Sequence, residues 1–178
     1  LDLADRAERV VWTPPESVGE VRMHVYGVPR VKAVADFSGY RHLVVAPFCN
    51  EAGLDHVTGG NTQDVVVISC GEDLDKVDPS FLGKLRRPSD EAVLVLDPLA
   101  GLEPPEEATA GNADSIQPAA PPSELSGLHA KITIAERNNR ACHVFIGSAN
   151  ATSAAYGGNV EFLVELIGRS KDLGVDSV

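Results

Sequence analysis

Asp64 to Ser69, Asp-Val-Val-Val-Ile-Ser, leaves little choice of architecture. The run is continuous and β-branched rather than alternating, as expected of a strand covered on both faces. A second apolar run, His42 to Phe48, carries Pro47 near its end, and Ala92 to Leu96 forms a third, read as a short buried strand. Between them Asn50 can cap a short helix reaching Val57, Gly59-Gly60-Asn61 makes a turn, and Asp73 to Leu85 reads as an amphipathic helix interrupted at Pro79. Strands alternating with helices predict an α/β fold, with a mixed, largely parallel central sheet flanked by helices. Upstream, Val21 to Val28 is expected to be a strand ending at Gly27 or Pro29. Val10-Val11-Trp12 is expected to be a short strand stopped by Pro14-Pro15, with Trp12 a core or lid residue.

The 178 residues suit one domain, 1–178, long enough to bury a sizeable core. Residues 1–40 give the weakest pattern, and residues 97–126 form a Pro/Ala-rich excursion read as an exposed loop. No apolar run approaches the roughly 20 residues needed to span a bilayer. The N-terminus lacks the order of a secretory signal, and the absence of a starting Met suggests a piece of something longer. Cys49, Cys70 and Cys142 stand apart with no CxxC spacing, so they read as small buried hydrophobes in a reducing compartment, the cytoplasm. A formal charge of -11, with Lys84-Leu85-Arg86-Arg87 the densest basic cluster, counts against an autonomous nucleic-acid binder without excluding a nuclease.

The chemistry concentrates between Leu128 and Leu166. From Leu128 to Ile134 apolar residues alternate with His129, Lys131 and Thr133, which puts His129 and Lys131 on one face of a strand. A second run, Cys142 to Ile146, ends in Gly147-Ser148-Ala149-Asn150. After a helix-compatible segment, a third begins at Asn159-Val160-Glu161. A histidine titrating near neutrality can act as nucleophile or general acid, and a lysine can hold a phosphate oxygen. Ser148 and Asn150, where strand gives way to helix, can meet the same anion. A carboxylate at Glu161 can bond the far ring nitrogen of His129 and fix its tautomer. No carboxylate–histidine cluster at metal-ligand spacing accompanies the set, so the residues point to phosphoryl chemistry without a metal or other cofactor.

His129-Ala-Lys131, Gly147-Ser148-Ala-Asn150 and Asn159-Val-Glu161 resemble the His-x-Lys, Gly-Ser-x-Asn and Asn-x-Glu elements of the phospholipase D superfamily, in the family's order and with an eleven-residue step from Asn150 to Glu161. The resemblance covers about 40 residues. It implies that His129 is the nucleophile forming a phosphohistidine, or the acid protonating the leaving group. Lys131 and Asn150 would bind phosphate with Ser148 and Asn159 in support, and Glu161 would orient His129. Where the family has an Asp after the Lys, this chain has Glu136, followed by a longer gap to Gly147. Glu136 is therefore expected to be structural, with a longer hairpin through Asn138-Asn139. Members build one site from two such motifs, so a homodimer or a second lobe is implied.

Three functions follow as expectations: a nucleic-acid phosphodiesterase, a phospholipid hydrolase or transferase without membrane insertion, and a non-catalytic dimerisation or substrate-holding lobe. His24, His42, His56 and His143 lack such company and read as structural. Asp73, Asp75 and Asp78 read as a solvated helix start.

Overall fold

The computed structural model of the chain describes residues 13–31, 35–87, 91–96, 129–138 and 140–177. The expectations for Val10 to Trp12 and for 97–126 lie outside them, as does that for Asn139. Seven strands form one sheet in the order β1-β7-β6-β5-β2-β3-β4. They are β1 (Val18–Tyr26), β2 (Arg41–Val45), β3 (Val65–Ser69), β4 (Val93–Val95), β5 (Ile132–Glu136), β6 (Ala141–Gly147) and β7 (Glu161–Arg169). Short helices fill the connections: α1 (Glu51–Val57), α2 (Gly71–Leu74), α3 (Pro79–Leu82), α4 (Ser153–Gly157) and α5 (Ser170–Leu173), before a final 3-10 turn at Val175–Ser177.

The α/β class and the mixed sheet are as expected, but the parallel share is smaller. Only β2–β3 and β3–β4 are parallel; the other four neighbouring pairs are antiparallel. For β5 and β6 the cause is their tight return, where Arg140 takes a left-handed φ of 62°. A connection that short can join only antiparallel strands.

The Asp64–Ser69 run is β3, two places from the sheet edge, with Val65, Val66 and Val67 all within 2% of full burial. Successive side chains alternate faces, so the sheet feeds two apolar cores. One face carries Val44, Val65, Val67, Ala135, Phe145 and Leu163 against Leu54 and Val57 of α1, Phe81 of α3 and Ala155 of α4. The other carries Leu43, Val66, Ile134, Cys142 and Val144 under Val175 and Leu173.

The helix expected over Asp73 to Leu85 is two helices. Asp78 accepts a bond from Ser80 N and starts α3, with Pro79 at its first position. Proline has no N–H to continue the ladder of the helix before it, and it pre-orders the one after. β4 is less buried than expected: Val95 is 64% exposed, because β4 is an edge strand. β1 begins earlier than expected and ends just before Gly27, whose φ is 70°. The cap at Asn50 and the helix to Val57 form as expected.

Candidate active site

β5, β6 and β7 lie side by side, and their pairing explains the spacing of the motifs. Ile132 pairs with Ile146 and Glu136 with Cys142. The long gap from Glu136 to Gly147 is thus the length needed for β6 to return beside β5 until Gly147 N reaches Lys131 O at 3.4 Å. β7 then pairs Leu163 with Gly147, so Lys131, Ser148 and Glu161 gather at one end of three adjacent strands. Glu136 sits at the opposite end of β5, where it accepts bonds from Val175 N (2.8 Å) and Tyr40 OH (3.2 Å).

His129 and Lys131 precede the strand rather than lying within it: β5 starts at Ile132. The strand stops where its neighbours stop, because β2 ends at Val45, the partner of Ile132. His129 is exposed, while Lys131 is 7% exposed. The Lys131 ammonium lies 3.0 Å from Nδ1 of His129, 3.4 Å from Nε2 and 3.2 Å from the His129 carbonyl. An ammonium only donates, so a ring nitrogen that bonds it does so as an acceptor. Burial lowers the Lys131 pKa, and the negative charge of Glu161 opposes that shift.

Glu161 is buried and has two partners. Ser148 Oγ donates to Oε2 and Asn159 Nδ2 donates to Oε1 at 3.2 Å. Ser148 is itself fixed, because its hydroxyl accepts from Phe162 N at 3.0 Å and its N–H donates to Phe162 O at 3.0 Å. The structure thus brings Ser148, Asn159 and Glu161 into one network and His129 with Lys131 into another. It does not place Glu161 on His129: no carboxylate of the described residues bonds that ring. Asn150 stands outside both networks, with its buried side-chain oxygen unpartnered.

The sequence reading missed two supports. Asn50 caps α1 through Gly53 N (2.9 Å), but the same oxygen also accepts from Ser153 N (3.0 Å), tying α1 to the segment that follows Asn150. Only the cap was legible. Tyr26 is the direct cross-strand neighbour of Glu161. Its ring meets Tyr156 edge-on at 5.3 Å, walling that side of the carboxylate. The burial of Tyr156, with Tyr26 and Glu161 close by, drives its hydroxyl pKa far up. No local pattern signals a contact between residues so distant in sequence.

The remaining histidines have partners of their own. His42 is fully buried between Phe37 O (2.8 Å) and Asn61 (3.2 Å), and burial lowers its pKa. His56 lies against Tyr156 at 4.3 Å. His24 and His143 both bond Glu165. Among the described residues, no group of three or more His, Cys, Asp or Glu side chains is arranged to hold a metal ion. The three cysteines are free, and burial pushes the Cys142 thiol up to about 12.

The chain matches no protein-family model and no curated protein. Among solved structures it is similar to the yeast tyrosyl-DNA phosphodiesterase, at a TM-score of 0.45 and 13% identity over 82% of this chain and 31% of that one. It is also similar to Nuc, a phospholipase D family member from Salmonella typhimurium, at a TM-score of 0.38 and 16% identity over 85% of this chain and 86% of that one. The chain therefore spans about a third of the length of the yeast protein.

Proposed function

We propose that this chain is a phospholipase D-type phosphodiesterase lobe that cleaves nucleic-acid phosphodiesters without a metal, in a site completed by a second copy or a second lobe. The observation that carries the reading is the buried Lys131 ammonium, held against His129 at the strand end where Ser148, Asn159 and Glu161 also meet. A buried cation to which no carboxylate of the described residues is hydrogen-bonded is poised for an anionic ligand. A bound phosphate oxygen would draw the ammonium off Nδ1 of His129 and free that nitrogen for a carboxylate of the second motif. With the single ring proton on Nδ1 and donated to that carboxylate, Nε2 carries the free lone pair, attacks phosphorus, and the ester P–O bond breaks. The leaving oxygen takes a proton from the second motif's histidine. Water then breaks the P–N bond, returns a proton to that histidine and releases His129. The reading accounts for why Glu161 bonds its own Ser148 and Asn159 and not its own His129.

Hydrolysis of single-stranded and duplex DNA in EDTA, with phospholipid vesicles in parallel, tests it. Release of nucleotide fragments that falls about 1,000-fold or more in His129→Ala is expected. Turnover of vesicle lipid but not DNA would move the substrate to phospholipid. Among the described residues no helix is long and apolar enough to cross a membrane. A second reading, a holding lobe without turnover, is favoured by the missing contact between Glu161 and His129. It predicts that His129→Ala changes no activity of any assembly containing the chain.

A further inference from the structure

β1 is an edge strand of nine residues, paired on one side with β7. Among the described residues nothing pairs with its outer edge. Exposed edges of this length template pairing with another chain, and proteins blunt them with proline, bulges or charged side chains, which deter a like-charged edge but not one whose charges fall opposite their complements. Here the one irregularity lies at the start, between Val18 and Glu20, and Glu20 to Tyr26 runs in regular register with β7. The edge carries two exposed charges on one face: Arg22 Nε and Glu20 Oε1 lie 2.7 Å apart. On the other face, Met23 is 48% exposed.

We propose that this edge pairs with the same edge of a second copy, antiparallel, about a two-fold axis at Val21. Two sheets joined this way keep their faces on the same side, so residues of like face must stand opposite one another. That condition leaves few registers. Centring on Glu20 sets glutamate against glutamate, and centring on Arg22 sets arginine against arginine. Centring on Val21 sets each Glu20 against the other copy's Arg22, giving four charges of alternating sign. Of these three registers charge favours the one centred on Val21, and it favours an identical edge as the partner. The site ends of the two sheets then point in opposite directions, so this interface is separate from the one that would complete the site. It does not rest on the proposed activity.

The test is solution mass and cross-linking of the full chain at about 100 µM, where even a weak dimer is populated. Val21→Cys, made with Cys70→Ser to remove the partly exposed native thiol, is expected to oxidise to a disulfide-linked species of twice the chain mass. Glu20→Arg and Arg22→Glu singly should each halve the wild-type mass and abolish the Val21→Cys cross-link, and the double exchange should restore both. A monomeric wild type overturns the proposal. So does a Val21→Cys cross-link that survives both single reversals, or an assembly in which Val21→Cys does not cross-link. His129→Ala should leave every one of these readouts unchanged, so a failed activity assay and a failed edge pairing are told apart.

Discussion

At the scale of single residues, Lys131 is the most exacting test of the site. Burial penalises its charged form, and the nearby Glu161 only partly offsets this. The sign follows from linkage. A lysine whose pKa is lower folded than unfolded binds fewer protons in the native state, so its contribution to stability rises with pH through that window. Lys131→Met should therefore abolish diester hydrolysis while raising stability by about 1 kcal/mol at neutral pH. The gain should shrink as pH rises toward the range where the wild-type lysine discharges. Denaturant melts of both proteins at pH 7 and pH 9.5 measure this; a large loss of stability in the variant contradicts it. The same region shows what the sequence made legible. The types and spacing of His129, Lys131, Ser148 and Glu161 were readable, because each motif is local. The partner of Glu161 was not, because its choice of Ser148 over His129 depends on how far β7 stands from the start of β5.

At the scale of elements, the site depends on how closely β6 and β7 approach. A Cβ at Gly147 would lie 2.0 Å from Phe162 O, which is backbone and cannot turn aside. Gly147→Ala must push β7 away and break the paired bonds between Ser148 and Phe162. A cost of about 2 kcal/mol is expected, together with loss of activity from displaced Glu161. Normal stability and normal turnover in that variant would show that the close approach is dispensable.

Three adjacent strands are also tied by Glu165, 2% exposed, which bonds His143 Nδ1 at 2.6 Å and His24 Nε2 at 2.8 Å. Glu165→Leu leaves two buried imidazoles without their acceptor and should cost about 3 kcal/mol, whereas replacing all three residues by leucine should cost less. Chemical denaturation of both variants measures the difference. This network was invisible in the sequence, since its members come from three distant strands. The β3 strand and the Asn50 cap were visible because their signals are local. The interruption of the Asp73–Leu85 segment at Pro79 was legible for the same reason, whereas the earlier end of its first helix at Leu74 was not.

At the scale of the whole molecule, a chain of net charge -11 presents a buried ammonium beside a histidine that no carboxylate of the described residues bonds. Both features make sense if the functional unit holds two motifs, with acidic bulk surface and a locally cationic centre. Every residue of the candidate site lies in or directly beside the ends of β5, β6 and β7, in the antiparallel half of the sheet. The parallel half carries the strand from which the α/β class was read. That division explains why fold class and chemistry came from different stretches of sequence. The decisive measurement is the initial rate of phosphodiester hydrolysis in EDTA as a function of chain concentration, for the wild type and His129→Ala. A site built from two copies predicts a rate per chain that rises with concentration to a plateau and vanishes in the variant. Hydrolysis that needs a divalent metal, or that survives His129→Ala, would contradict the account.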